Sequence, residues 1–316
     1  MLNKLIIDSG TRLVIEIKNN NIICDDGKHE QLLSDQLYND LDGYVTDSGI
    51  TEIFASGDTY VTRFTYNGVW HKTDVVSNAA GSGKIKGVKA LTVGLYKNLF
   101  YSVYKNGKNI LVHHIMGSGI DKVSAVDYLG SRCRYTVFCD GNDNINIWYV
   151  NETEELCSAK YIWSQKKYSQ KELHAQNVLN LCVVPCKSGD TYIAVVQKNK
   201  GYNEVCFKSK SDENFAMLGF GVDFNCDVAV VSTEGAVYVQ WIDSKGCAES
   251  VSYDGGKTFG RPSDVHNIKS ALCKMCAYRC VQNYNVKTVD LCVSGGKKLL
   301  HESAIIELLK KETENE

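Results

Sequence analysis

Apolar and polar residues alternate with a period of two in short runs along most of this chain, the pattern of half-buried β-strands. The runs are rich in β-branched and aromatic residues, and they break at Gly, Asn, Asp, Ser and Lys. The clearest stretch is 228–259. Residues 228–232, 236–243 and 250–253 predict three strands, with turns at 233–235, 244–246 and 254–258. The same order recurs over 43–75, 88–116, 124–150 and 179–215. A sixth unit begins near Ser270, with 288–293 as its clearest strand. Gly117-Ser118-Gly119 reads as a connection between units.

The middle strands of these units begin near residues 51, 98, 135, 191, 236 and 288. Steps of roughly 37–56 residues suit four-stranded propeller blades. The expected fold is therefore all-β, a six-bladed β-propeller over residues 43–300. Five or seven blades, or a β-sandwich with the first 40 residues separate, are the alternatives. Residues 1–42 hold two more strand patterns, 12–18 and 21–24, expected to close the last blade. In the tail 301–316, Ile305, Leu308 and Leu309 fall on one helical face, which predicts a short terminal helix.

One motif is specific. Ser252-Tyr253-Asp254-Gly255-Gly256-Lys257-Thr258-Phe259 fits the spacing S-x-D-x-G-x-T-F/W after a third strand. Asp254 is placed to accept backbone N–H bonds, Gly256 to adopt positive φ, and Phe259 to anchor the turn in the core. Weaker echoes follow other strands at Ser209–Phe215, Asp25–His29 and Asn67–Trp70. The motif resembles the Asp box, or BNR repeat, of the sialidase-like β-propellers. In that family the box is a structural turn between the third and fourth strands of a blade, so Ser252, Asp254, Gly256, Thr258 and Phe259 are expected to be structural.

Sialidases of that family add an arginine motif for the substrate carboxylate, and this chain lacks it. Of 35 Lys plus Arg, only Arg12, Arg63, Arg132, Arg134, Arg261 and Arg279 are arginines. Arg63 sits inside a predicted third strand, and Arg261 follows the motif directly. No catalytic residue is carried over. With 37 acidic residues, a glycosidase carboxylate pair stays open as an alternative.

A net charge of -2 argues against a nucleic-acid partner. No run of about 18 apolar residues predicts a membrane span, and the N-terminus has no signal-peptide pattern, so synthesis in the cytoplasm with reduced thiols is expected. Thirteen cysteines are spread mostly through strand patterns, where small buried thiols are common. The tight group Cys273, Cys276 and Cys280 has thiolate-metal spacing without a clear fourth ligand. No cofactor is expected. His113 and His114 are adjacent in a strand, which predicts one ring in the core and one exposed.

Loop faces of a propeller suit glycans or protein partners. Tyr66, Trp70, Tyr96, Trp148, Trp163 and Tyr253 lie near turns and are the candidate sugar platforms, with core packing as the competing role. The expected function is non-catalytic binding or assembly. Lys-, Asn-, Ile- and Tyr-rich usage with little Pro and Arg points to an AT-rich bacterial genome or one of its phages. The resemblance to sialidase-like propellers without the arginine motif then implies a phage-tail or tailocin component touching a cell-surface glycan or a neighbouring subunit. The alternatives are a sialidase-like glycoside hydrolase and an intracellular interaction scaffold.

Overall fold

The computed structural model describes residues 3–9, 11–46, 48–77, 83–186, 190–233, 235–264, 273–282, 285–295 and 298–300. The expected terminal helix, 301–316, lies outside them. The described residues are nearly all strand and turn, with a 3₁₀ turn at Trp163–Gln165. The chain divides into two compact units, Met1–Cys133 with Cys276–Val289, and Arg134–Met275 with Asp290–Glu316.

In the first unit, strands β1 (Lys4–Asp8), β2 (Arg12–Lys18), β3 (Asn21–Asp25) and β4 (Glu30–Ser34) follow one another as an antiparallel meander. A second sheet is β5 (Asp40–Val45), β6 (Thr51–Ser56), β7 (Tyr60–Tyr66) and β8 (Trp70–Ser77). A third is β9 (Lys84–Val93), β10 (Tyr96–Lys105), β11 (Lys108–Gly117) and β12 (Ile120–Leu129).

The second unit begins with β13 (Tyr135–Cys139), β14 (Ile145–Val150) and β15 (Leu156–Ile162), with β16 (Lys167–Tyr168) and β17 (Glu172–Ala175) both paired to β15. The fifth sheet is β18 (Val178–Pro185), β19 (Thr191–Asn199), β20 (Tyr202–Ser209) and β21 (Ala216–Phe220). The sixth is β22 (Asp227–Ser232), β23 (Val237–Asp243), β24 (Gly246–Ser252) and β25 (Ser263–Asp264). The last strands are β26 (Cys273–Gln282), β27 (Asn285–Gly295) and β28 (Lys298–Leu299). Leu5–Asp8 of β1 runs parallel to Ala277–Cys280 of β26. The fold is an all-β, six-bladed β-propeller, one sheet per blade.

Burial follows strand position. β5 and β6 are buried at every residue, because each is covered on both faces, whereas β8 and β12 are mostly exposed edges. A continuously buried strand containing Asp40 and Asp42 needs acceptors satisfied. Asp40 Oδ2 accepts from Val88 N–H at 2.8 Å and Asp42 Oδ2 from Ala90 N–H at 3.0 Å, so these carboxylates join β5 to β9. The second unit uses the same device. Asn180 in β18 donates to Cys226 O and Asp227 Oδ1, and Val230 N–H donates to Cys182 Sγ at 3.3 Å. Between these polar joints lie apolar clusters such as Tyr44, Phe54, Val88, Leu99 and Tyr101.

Two expectations are corrected. Gly117-Ser118-Gly119 is the hairpin turn between β11 and β12, all three residues having positive φ, and not a link between blades. Residues 124–129 consequently form the outer strand of the third sheet. His113 and His114 are both buried: the inner ring stacks on Phe100 at 4.2 Å, and the other lies 2.5 Å from Asp121 Oδ1.

Candidate ligand-binding site

The Ser252–Phe259 turn leaves β24 and is closed by its own side chains. Asp254 Oδ1 accepts from Ser252 Oγ (2.7 Å), Lys257 N–H (3.0 Å) and Thr258 N–H (2.9 Å), and Oδ2 accepts from Thr258 Oγ1 (2.6 Å). These bonds, the Thr258 hydroxyl first, hold the Asp254 carboxyl below the usual carboxylate range. Gly256 has φ +89 and its N–H donates to Ser252 Oγ. Phe259 meets Phe207 edge-on at 4.8 Å, which ties the turn to the fifth sheet. The Ser252, Asp254 and Thr258 side chains are spent on the turn itself, so these residues hold structure.

The six aromatic candidates separate by burial. Trp148 is 2% exposed and packs on His174 at 4.4 Å, so its ring belongs to the core. Trp163 sits half-buried in the 3₁₀ turn, edge-on to Tyr161. Tyr253 is 80% exposed on the Ser252–Phe259 turn. Tyr96 is half-buried at the start of β10. Tyr66 and Trp70 are brought together. They flank the Asn67–Val69 turn as a cross-strand pair, with ring centroids 4.9 Å apart and planes at 39°. Both rings are half-buried, and Val69 between them is 65% exposed.

Alternation puts Lys72, two residues beyond Trp70, on the same face of β8. Its Nζ donates to Gln36 Oε1 at 2.8 Å and Ser34 Oγ at 3.1 Å. Tyr38 OH donates to the same Ser34 Oγ at 3.2 Å and to Thr62 Oγ1 at 3.3 Å. The face thus sets two half-buried aromatic rings beside the exposed Lys72 ammonium and Gln36 amide, over the buried Ser34 and Tyr38 hydroxyls, and rings with nearby polar groups complement the C–H faces and hydroxyls of a sugar.

The opposite face of the second sheet carries residues that strand periodicity does not flag. Tyr44 OH donates to Glu52 Oε2 at 2.6 Å, and Lys97 pairs with Glu52 Oε1. Burial first, then the Glu52 charge, push the Tyr44 phenol above its ordinary range. Arg63 lies on this face, opposite Phe54 and Thr73.

The remaining candidates resolve as follows. Cys273 packs with Ala229, Cys247, Val293 and Leu300. Cys276, three residues along the same strand, points to the other face. The Cys280 side chain lies outside the described residues. Burial raises the thiols of Cys206 and Cys247 to about 12, which keeps them protonated at neutral pH. In the second unit Ser158 Oγ lies 2.8 Å from His174 Nε2, while Glu172 Oε2 lies 3.8 Å from that same nitrogen. A nucleophile triad needs the acid on the other ring nitrogen, and here both groups meet one.

No protein-family model matches the chain, and no curated protein does. Solved structures do. Kuenenia stuttgartiensis hydrazine synthase aligns with a TM-score of 0.57 at 10% identity, over 91% of this chain and 95% of that one. A polysaccharide lyase, ulvan lyase bound to a GlcA–rhamnose-sulfate unit, aligns with 0.56 at 10% identity, over 92% and 91%. Aleuria aurantia lectin in complex with a fucosylated GlcNAc aligns with 0.50 at 11% identity, over 80% and 90%. At these identities the likeness is one of fold.

Proposed function

We propose that this chain is a non-catalytic carbohydrate-binding β-propeller whose ligand stacks on Tyr66 and Trp70. The carrying observation is that pair: two half-exposed rings 4.9 Å apart, on the same face of the second sheet as Lys72 with its Gln36 and Ser34 partners. Aromatic rings left partly exposed beside a few polar groups are the lining that small-molecule sites use. The carbohydrate ligands of the lyase and lectin that share the fold support the same reading. The Ser252–Phe259 turn supports kinship with Asp-box propellers. Composition together with the resemblance to sialidase-like propellers that lack the arginine motif supports a further step, a phage-tail or tailocin component, made in the cytoplasm, that contacts a surface glycan or a neighbouring subunit.

A glycan array probed with the full chain and with Trp70→Ala tests the binding. We expect retention of neutral glycans by the native chain and roughly a five- to thirtyfold loss in the variant, since one stacked ring contributes about 1–2 kcal/mol. Absence of any retained glycan, or equal retention by the variant, overturns the proposal. Release of reducing sugar from a bound glycan overturns its non-catalytic part.

A further inference from the structure

Cys247 and Cys273 come from different sheets and meet in one apolar cluster with Ala229, Val293 and Leu300. Cys247 lies in β24, and Cys273 opens β26. Strand register explains the meeting. In the sixth sheet Asp227 of β22 lies opposite Ile242 of β23, which lies opposite Cys247 of β24. Ala229, Gln240 and Glu249 form the row two residues along, so their side chains share that face. The last strands pack on it: Val293 N–H in β27 donates to Gln240 Oε1 at 3.3 Å. On β26, Cys273 and Met275 share one face by alternation, and both pack into the cluster with Ile242.

The two thiols hydrogen-bond each other, with Cys247 Sγ–H donating to Cys273 Sγ. Both residues are buried. A structural metal would need further donors, and Cys276 is on the opposite face of β26. A disulfide needs only these two sulfurs.

We propose that Cys247 and Cys273 are a modification site, closing to a disulfide that ties β24 to β26 when the protein meets a low-molecular-weight disulfide such as oxidised glutathione. The hydrogen bond from Cys247 favours the thiolate on Cys273, so Cys273 is the attacking sulfur. Its attack breaks the small disulfide, forms a mixed disulfide and releases one thiol, which takes the Cys273 proton. Cys247 Sγ, already in reach, then attacks the Cys273 sulfur and expels the second thiol, which takes the Cys247 proton. Two protein thiols are oxidised, and one small disulfide is reduced to two thiols. Burial raises both protein thiols, Cys247 to about 12, so closure is slow at neutral pH and quickens as pH rises. A reducing compartment keeps the pair open, and an oxidising one closes it.

The test incubates the full chain, purified with reductant and then freed of it, with oxidised glutathione at about pH 8. Remaining thiols are alkylated with N-ethylmaleimide before trypsin digestion. Cys247 leaves on residues 246–257, Cys273 on 270–274 and Cys276 on 275–279, so mass spectrometry separates the pairings. The expected product joins 246–257 to 270–274, and the oxidised chain unfolds about 3–6 °C higher, a gain that dithiothreitol reverses. Recovery of both peptides alkylated overturns the site, as does Cys273 joined to another cysteine or left carrying glutathione. A Cys247–Cys273 bond that leaves the unfolding temperature unchanged overturns the bracing of β24 to β26. Cys247→Ser is expected to abolish both the crosslink and the gain. Should that variant not fold, the peptide map of the native chain decides alone.

Discussion

Arg279 Nη2 donates to Asp42 Oδ1 at 3.1 Å, and both side chains are buried. Arg279 Nε donates to Gly43 O, and the other Asp42 oxygen accepts from Ala90 N–H. A single buried ion pair therefore connects β26, β5 and β9 within the first unit.

Removing one partner strands a charge away from water. Arg279→Met is expected to destabilise the protein by about 3–5 kcal/mol, read as a lower urea midpoint. Adding Asp42→Asn to that variant removes the stranded charge. The double variant should recover part of the loss, and a double variant no more stable than Arg279→Met would contradict this account.

Gly256 should be the least replaceable residue of the Ser252–Phe259 turn. Its φ is +89, and an added Cβ would stand 2.9 Å from a Phe207 ring carbon. Gly255 also has positive φ, but its Cβ would meet nothing closer than 3.9 Å. Gly256→Ala is expected to cost about 1–3 kcal/mol and Gly255→Ala clearly less, by thermal or urea unfolding. Equal costs would show that backbone strain alone matters there.

The same turn predicts an acid limb. Folding lowers the Asp254 pKa below its ordinary 3.8, chiefly through the Thr258 hydroxyl. The folded state then holds fewer protons than the unfolded state just below that value. The Asp254 contribution is complete above about pH 4 and is lost as pH falls toward the depressed value. Asp254→Asn should flatten stability between about pH 4 and pH 2, with the largest difference from the native chain above pH 4.

How much of this was legible beforehand depends on separation along the chain. Turn 252–259 is local, and its residues announce their own hydrogen bonds. Strands β5, β9, β18 and β22 were readable because apolar runs between polar turns survive in any context. The β11–β12 hairpin was not, because a Gly-Ser-Gly turn between ten-residue strands looks the same as a link between blades. Asp42 and Arg279 are 237 positions apart, and no local pattern joins them. Tyr44, Glu52, Arg63 and Lys97 come from four strands. Two of those, β5 and β6, are buried on both faces, so no alternation marks which polar residues meet.

His113 was expected to share its strand with one exposed ring, and its burial has a consequence for pH. Burial, ahead of the neighbouring charge of His114, lowers its pKa from 6.5 to about 3. His174 is lowered to about 4, again mainly by burial. An unfolded histidine binds a proton below about pH 6.5 where these do not, so stability is full above that pH and falls as pH drops toward 3 to 4. The ring signals of both histidines should stay at their neutral positions from pH 7 to pH 5 in an NMR titration. A midpoint near 6.5 for His113 would show that its ring reaches water.

Two tryptophans proposed from the same kind of sequence position should behave in opposite ways. Trp148 is 2% exposed, among Leu181, Val183 and Val195, and Trp148→Ala removes a large ring from a close-packed cluster. A loss of about 3–5 kcal/mol is expected, with any binding defect secondary to unfolding. Trp70 touches Tyr66 and solvent at an edge strand, so Trp70→Ala should cost roughly 1 kcal/mol or less and leave the urea midpoint nearly unchanged. Its effect should appear instead as loss of glycan retention at a temperature where both variants remain folded. Comparable stability losses at the two positions would mean that Trp70 is a packing residue, and the platform would then need to be sought at Trp163 or Tyr253.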